Sequence, residues 1–256
     1  MGLRERTLRF YFKAQSVIAP GLQYAQATYE DVLWHVTDGG KAWLDLGCGH
    51  QLLPTWRSEQ EVSLVKRARC VVGLDPDRQA LKQHASIGRR VEGSATKLPF
   101  AGESFDLVTS NMVFEHLDRP EVQLREIARV LKPGGLLVFH TPNARGYATV
   151  AARLIPEFVK KQLVWLLERR KGEDVYPTYY RVNSEKAIRA HSAEAGLQVE
   201  QIRFVNSGAG TAPFPPLAVL ELLLIRALMH ERFQTARPNI IATVRKSASR
   251  ASASAG

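Results

Sequence analysis

Residues 42–49 read Ala-Trp-Leu-Asp-Leu-Gly-Cys-Gly, a short run of mostly apolar residues that ends in two glycines flanking a small residue. A short apolar run bounded by a turn signal fits a strand buried on both faces. Glycines at its end permit positive φ and let backbone N–H groups come close to a ligand. The spacing predicts that the turn opens a helix, whose N-terminus carries partial positive charge. On its own such a turn serves a ligand site and a purely structural bend equally well.

The chain beyond it keeps the same grammar. Apolar runs recur at Cys70–Leu74, Arg90–Glu92, Phe105–Thr109 and Leu136–His140. Helical patterns lie between them near Pro54–Arg69, Pro76–Ser86 and Glu121–Leu131. Strands alternating with helices imply right-handed crossovers and a parallel sheet covered on both faces. Residues 3–36 read as helical with a break at Pro20-Gly21. After Asn143 come helical segments at 146–171, Ser184–Ala195 and Pro213–Met229, and strands at Leu197–Val205 and Ile240–Val244. Ser184 is placed to cap its helix and Gly196 to end it. The expected division is an N-terminal helical cap (1–39), one α/β domain (40–246) with inserts near 144–181 and 206–238, and a disordered Ser/Ala-rich tail (247–256).

Composition narrows the classes. Hydrophobic residues make up 45% of 256, enough for a full core, and no repeat of solenoid period is visible. Two cysteines, Cys48 and Cys70, support neither a disulfide framework nor a four-ligand zinc site. The start, MGLRERTLRFYF, lacks the apolar stretch of a signal peptide, so a cytoplasmic location is expected. The net charge of +10 favours acidic partners: nucleic acid, anionic lipid or phosphorylated substrates. Cations gather at Arg4, Arg6, Arg9 and Lys13 and again at Lys160, Lys161, Arg169, Arg170 and Lys171.

A second strand, Val71-Val72-Gly73-Leu74-Asp75, ends in a carboxylate. In a nucleotide-binding sheet an acid there can accept hydrogen bonds from both ribose hydroxyls. Asp75-Pro76-Asp77 is equally good capping sequence. Further on stand Leu98-Pro99-Phe100, then Ser104-Phe105-Asp106-Leu107-Val108, then Arg129-Val130-Leu131-Lys132-Pro133-Gly134-Gly135.

With these blocks in this order, residues 40–143 resemble the class I S-adenosylmethionine-dependent methyltransferases, of the small-molecule type related to ubiquinone-biosynthesis enzymes. The resemblance implies a Rossmann-like three-layer α/β/α fold. Its seven-stranded sheet is mostly parallel, with the last strand antiparallel. It implies S-adenosyl-L-methionine as cofactor, with Asp45, Gly47, Cys48 and Gly49 around its methionine end, Asp75 on the ribose and Pro76 beside the adenine. Ser94 and Ala95 fall where the family has an acid followed by alanine near the adenine, and Asn111 falls near the sulfonium. Gln51 occupies the position of the usual third glycine.

A methyl group on a sulfonium is already activated, so the protein mainly positions and desolvates the reactants. An oxygen acceptor must also lose a proton, and histidine is the usual base near neutral pH. His116 and His140 follow the fourth and fifth strands, the ends where open α/β sheets bind ligands. His140 is the preferred base, and His116 reads equally as a brace for its loop. Glu115 reads as a local partner of helix or loop. No carboxylate cluster points to a metal. The expected acceptor is a hydroxyl of a small-molecule, lipid-linked or glycan substrate. It would lie beneath aromatic and cationic residues that include Tyr11, Phe12, Tyr24, Trp165, Tyr176, Tyr179, Tyr180, Arg181 and Phe214. The dense apolar helix at 213–229 falls short of a membrane span, leaving a packed helix or peripheral contact with an anionic membrane. Nucleic acid is disfavoured, since no RNA module accompanies the fold. The rival readings are an RNA or protein methyltransferase and a non-catalytic module that keeps the fold. A dinucleotide oxidoreductase is disfavoured because the full G-x-G-x-x-G spacing is absent.

Overall fold

The structure, a computed structural model, describes residues 3–37, 39–154, 176–208 and 210–248. Trp165, the cations at 160–171, the helical reading beyond residue 154 and the tail from residue 249 lie outside the described residues.

The strands are β1 (Ala42–Leu46), β2 (Cys70–Asp75), β3 (Arg89–Glu92), β4 (Phe105–Asn111), β5 (Leu131–Pro142), β6 (Leu197–Val205) and β7 (Asn239–Lys246). They form one seven-stranded sheet in the order β3-β2-β1-β4-β5-β7-β6. All neighbours are parallel except β5–β7 and β7–β6, so the final strand is the antiparallel one, as the family resemblance implies. Trp43, Leu44, Leu107, Val108, Leu137 and Val138 have no exposed surface, which is why these strands read as unbroken apolar runs.

The helices are α1 (Leu3–Ile18), α2 (Ala25–Val36), α3 (Ser58–Arg67), α4 (Arg78–Gln83), α5 (Pro120–Val130), α6 (Tyr147–Leu154), α7 (Glu185–Glu194) and α8 (Pro215–Leu228). Ser184 caps α7, accepting from Ala187 N, and Gly196 follows it at φ +74°. Two local readings change. The turn after β1 does not open a helix, because the chain runs on through residues 50–57 before α3 begins at Ser58. Pro133-Gly134-Gly135 lies inside β5 rather than before it. Phe105 pairs with Leu131 but Leu107 with Leu136, so these residues bulge out of register and pairing then resumes.

Contacts separate the chain into two compact units. One comprises Glu30–Thr141, Pro177–Arg203 and Ile241–Gly256, and contains β1 to β4 with α3, α4, α5 and α7. The other comprises Met1–Tyr29, Pro142–Tyr176 and Phe204–Ile240, and contains α1, α6 and α8. In the second unit Tyr11 is buried against Ala218, Leu222 and Ile225.

Candidate functional site

Register assembles the site within the first unit. Asp45 of β1 lies beside Gly73 of β2 and Thr109 of β4, and Asn111 ends β4 opposite His140 of β5. The carboxyl ends of these strands therefore stand side by side, the place where such sheets bind ligands.

The glycine loop is held tightly from behind. Gly47 N and Cys48 N both donate to Leu74 O, at 2.8 and 3.2 Å. Gly49 N donates to Asp75 Oδ2 at 2.8 Å, and Asp77 N to Asp75 Oδ1 at 2.8 Å. Gly47 and Gly49 take φ of +67° and +52°. A Cβ on Gly47 would sit 2.3 Å from Val113 Cγ2, whereas one on Gly49 would meet nothing within 4 Å. Gly47 thus admits the loop after β4, and Gly49 borders open space.

The structure resolves the two readings of Asp75 and its neighbour. Asp77 is the helix cap, accepting from Gln79 N and Ala80 N at 2.7 and 3.1 Å. Asp75 instead tethers the glycine loop at the end of β2. A carboxylate has about four acceptor positions, so the two backbone bonds leave it capacity for more.

Asp45 is buried. It accepts from Thr109 Oγ1, which in turn accepts from Trp43 Nε1 at 2.6 Å. Burial, aided by the charges of Glu61 and Asp75, pushes its carboxyl up to about 7 despite the Thr109 bond. Burial and the charges of Asp45 and Asp75 also raise the Cys48 thiol, so it is a neutral packing residue. Its sulfur occupies room that Gly73 provides: a Cβ there would lie 2.7 Å from Cys48 Sγ. Pro76 and Ser94 are exposed and Ala95 half-buried, with Ser94 Oγ 3.0 Å from Thr96 Oγ1.

The histidines part company. His140 is buried, with Nδ1 2.8 Å from Asn111 Oδ1. An amide oxygen only accepts, so Nδ1 is the donor in this bond. His116 is half-buried, with Nδ1 2.9 Å from Pro177 O. Beside it, Tyr179 N and Tyr180 N both donate to Glu115 O, at 2.7 and 3.2 Å. His116 therefore stands where the 114–118 turn is fastened to the 177–181 segment. Arg181 completes the fastening through Asp118 O and stacks 5.6 Å over the Tyr179 ring. Of the other aromatic candidates, Phe12, Tyr176 and Phe214 are exposed, while Tyr11 and Tyr24 share a contact at 3.5 Å between their hydroxyls.

Glu61 escapes sequence reasoning, and Glu115 is the local partner that the sequence suggests. Glu61 of α3 is buried and accepts from Leu52 N at 3.0 Å, Leu53 N at 2.8 Å and Ser86 Oγ. It shapes the loop beyond Gly49 in place of a third glycine, and Gln51 keeps an ordinary backbone there. Glu115 is buried and receives Thr141 Oγ1 at 3.2 Å, which Asn183 Nδ2 reaches at 2.6 Å. Burial raises its carboxyl, against the pull of His116 and Thr141. The one sequence sign was an acid on the inward stripe of an amphipathic helix, for Glu61.

Comparisons with known proteins bear on this arrangement. The family described as Methyltransferase domain matches residues 44–139. A ubiquinone biosynthesis O-methyltransferase of Pseudomonas putida is 30% identical over 178 residues, 65% of this chain and 68% of that protein. A demethylmenaquinone methyltransferase of Mycobacterium sp. (strain KMS) is 38% identical over 112 residues, 42% of this chain and 45% of the relative. The chain thus spans less than half of that relative's length. The crystal structure of an S-adenosylmethionine-dependent methyltransferase from Mesorhizobium loti superposes with TM-score 0.55 at 19% identity, over 86% of this chain and 97% of that one. That last likeness is one of fold.

Proposed function

Because the chain belongs to the class I S-adenosylmethionine-dependent methyltransferases, we propose that it moves a methyl group by in-line displacement to a hydroxyl of a small-molecule or lipid-linked acceptor, with His140 as general base. The family's donor is S-adenosyl-L-methionine, which when bound supplies an electrophilic methyl on a sulfonium.

The residues present fit that donor. Gly49 leaves open the space a side chain would fill, and Asp75 retains acceptor capacity at the strand end for a ribose. In this reading Asp45, Gly47, Cys48 and Gly49 hold the amino-acid end. Pro76, Ser94 and Ala95 border the adenine. Asp45, raised to about 7, ionises at small cost beside a cationic ligand.

The observation that carries the proposal is the hydrogen bond between His140 and Asn111. It holds the ring at the end of β5, where in this reading the imidazole takes the hydroxyl proton. Asn111 is then a positioning residue for the base as well as a neighbour of the sulfonium. The buried Glu115–Thr141–Asn183 chain supports the same strand end from the adjacent residue. His116, already engaged with Pro177 O, braces its loop in this reading.

The first test finds the acceptor: the protein, labelled donor and a cell extract, with the labelled product identified by mass spectrometry. His140→Ala should then lower turnover by about 10² or more while leaving donor affinity unchanged. Equal rates for the two proteins from about pH 6 to about pH 9 would remove His140 from the reaction. Failure of S-adenosylhomocysteine to bind at micromolar concentration would instead favour a non-catalytic module.

A further inference from the structure

Asp45 is a buried acid that forms no ion pair among the described residues. The groups that act on it are Glu61 of α3 and Asp75 of β2, both carboxylates, the neutral Cys48 thiol of the glycine loop, and the Thr109 hydroxyl of β4. Its Oδ1 accepts from Thr109 Oγ1, and among the described residues no hydrogen bond reaches Oδ2. A carboxylate taken out of water is ordinarily paired or fully hydrogen-bonded. Half of this one is unspent, in a setting of negative charge that suits a cationic group.

Register explains how the other half is held. Residues i and i+2 of a strand share a face, so Trp43 and Asp45 project from the same side of β1. β4 runs parallel to β1, with Leu107 opposite Trp43 and Thr109 opposite Asp45. The Thr109 hydroxyl bonds both β1 side chains, with Trp43 Nε1 at 2.6 Å. Trp43 and Thr109 have no exposed surface, so no water competes for these bonds. Their direction is forced. An indole N–H only donates, so Thr109 accepts from Trp43 and gives its own single proton to Asp45. Bonds running one way polarise one another, and a donated proton favours the ionised carboxylate. Burial pushes the Asp45 carboxyl up to about 7, and the Thr109 bond is what pulls against it.

We propose that Thr109, with Trp43 behind it, is a positioning residue for the methyl donor: it holds Asp45 by Oδ1 and leaves Oδ2 to receive the donor's α-ammonium group. This rests on the donor reading given above and extends it to two side chains that act only through Asp45. The ion pair needs the carboxylate, so the relay serves binding twice, by orienting the group and by favouring its charged form. Loss of the relay therefore costs most where Asp45 is only partly ionised.

The test is calorimetric titration of the full chain with S-adenosylhomocysteine, which carries the same α-ammonium group, from about pH 6 to about pH 8.5. Wild-type affinity should rise with pH through about 7 as Asp45 ionises. Thr109→Val should move that midpoint upward, with affinity about tenfold or more weaker at about pH 6.5 and the gap closing toward about pH 8.5. Thr109→Ser keeps the hydroxyl and should restore the wild-type midpoint. Trp43→Phe removes the indole donor, leaves the Thr109–Asp45 bond, and should move the midpoint the same way by less. It also carries the test if Thr109→Val does not fold. Affinity lowered equally at every pH would mean that Thr109 only packs, and would overturn the proposal, as would an unmoved midpoint. Failure of the wild type to bind S-adenosylhomocysteine would bring down the donor reading and this inference with it, whereas wild-type binding with an unmoved midpoint in the variants overturns the inference alone.

Discussion

Gly47 and Gly49 stand two residues apart at similar φ, yet different forces exclude a side chain at each. At both, a Cβ in the left-handed region costs about 1–2 kcal/mol. Gly47 adds a collision with Val113, worth about 1–3 kcal/mol more, because Val113 is where the chain leaving β4 through Met112, itself at φ +57°, comes down on the loop. Gly47→Ala should therefore lose stability in urea unfolding, and a second change, Val113→Ala, should return the collision part only. Gly49→Ala should lose less stability and more affinity for S-adenosylhomocysteine in calorimetric titration, since its methyl group would project into open space. Equal effects of the two changes on stability and on affinity would contradict this separation. The sequence displays both glycines, but it cannot display Val113, which arrives from another strand.

At the scale of elements, the loop between β1 and α3 shows how a departure from a family pattern is absorbed. Gln51 stands where a glycine is usual, and it needs no unusual φ. The loop instead closes on Glu61, whose carboxylate collects two backbone N–H groups and a hydroxyl from the segment before β3. Removing it would leave buried donors unpaired, at about 1–3 kcal/mol each. Glu61→Ala should thus destabilise the protein by about 3 kcal/mol or more and weaken donor binding, whereas Gln51→Gly should change either by little. Denaturant melts of the two variants decide the matter; a silent Glu61→Ala would refute the account. The start of β5, ahead of the Pro-Gly-Gly bulge, is likewise held by a carboxylate from another element. Asp106 on the neighbouring strand takes Lys132 Nζ at 2.8 Å and Ala42 N at 2.9 Å. Although burial opposes it, these bonds hold the Asp106 carboxyl below its usual range.

Across the whole molecule, stability should depend on pH through groups acting in opposite senses. Asp45, raised to about 7, stabilises the fold fully below its unfolded value of about 4, and that contribution is lost as pH climbs through 7. Asp106 and Glu126, held low by Lys132 and Arg129, act the other way, losing their contribution in acid. The difference between wild type and Asp45→Asn isolates the first effect. Wild type should lose up to about 4 kcal/mol relative to the variant between about pH 4 and about pH 8. Parallel melting curves over that range would show that Asp45 is charged throughout. The sequence alone determined the alternation of strand and helix, the glycine turn and the Ser184 cap, because these rest on side-chain periodicity and local backbone preference, and the antiparallel last strand came from the family resemblance. Tertiary structure alone decided that Asp77 caps while Asp75 tethers, that Asn111 holds His140 while Pro177 takes His116, and that the leucines of α8 split between core and solvent. Those outcomes join residues far apart in the chain, and only register and packing bring such residues within bonding distance.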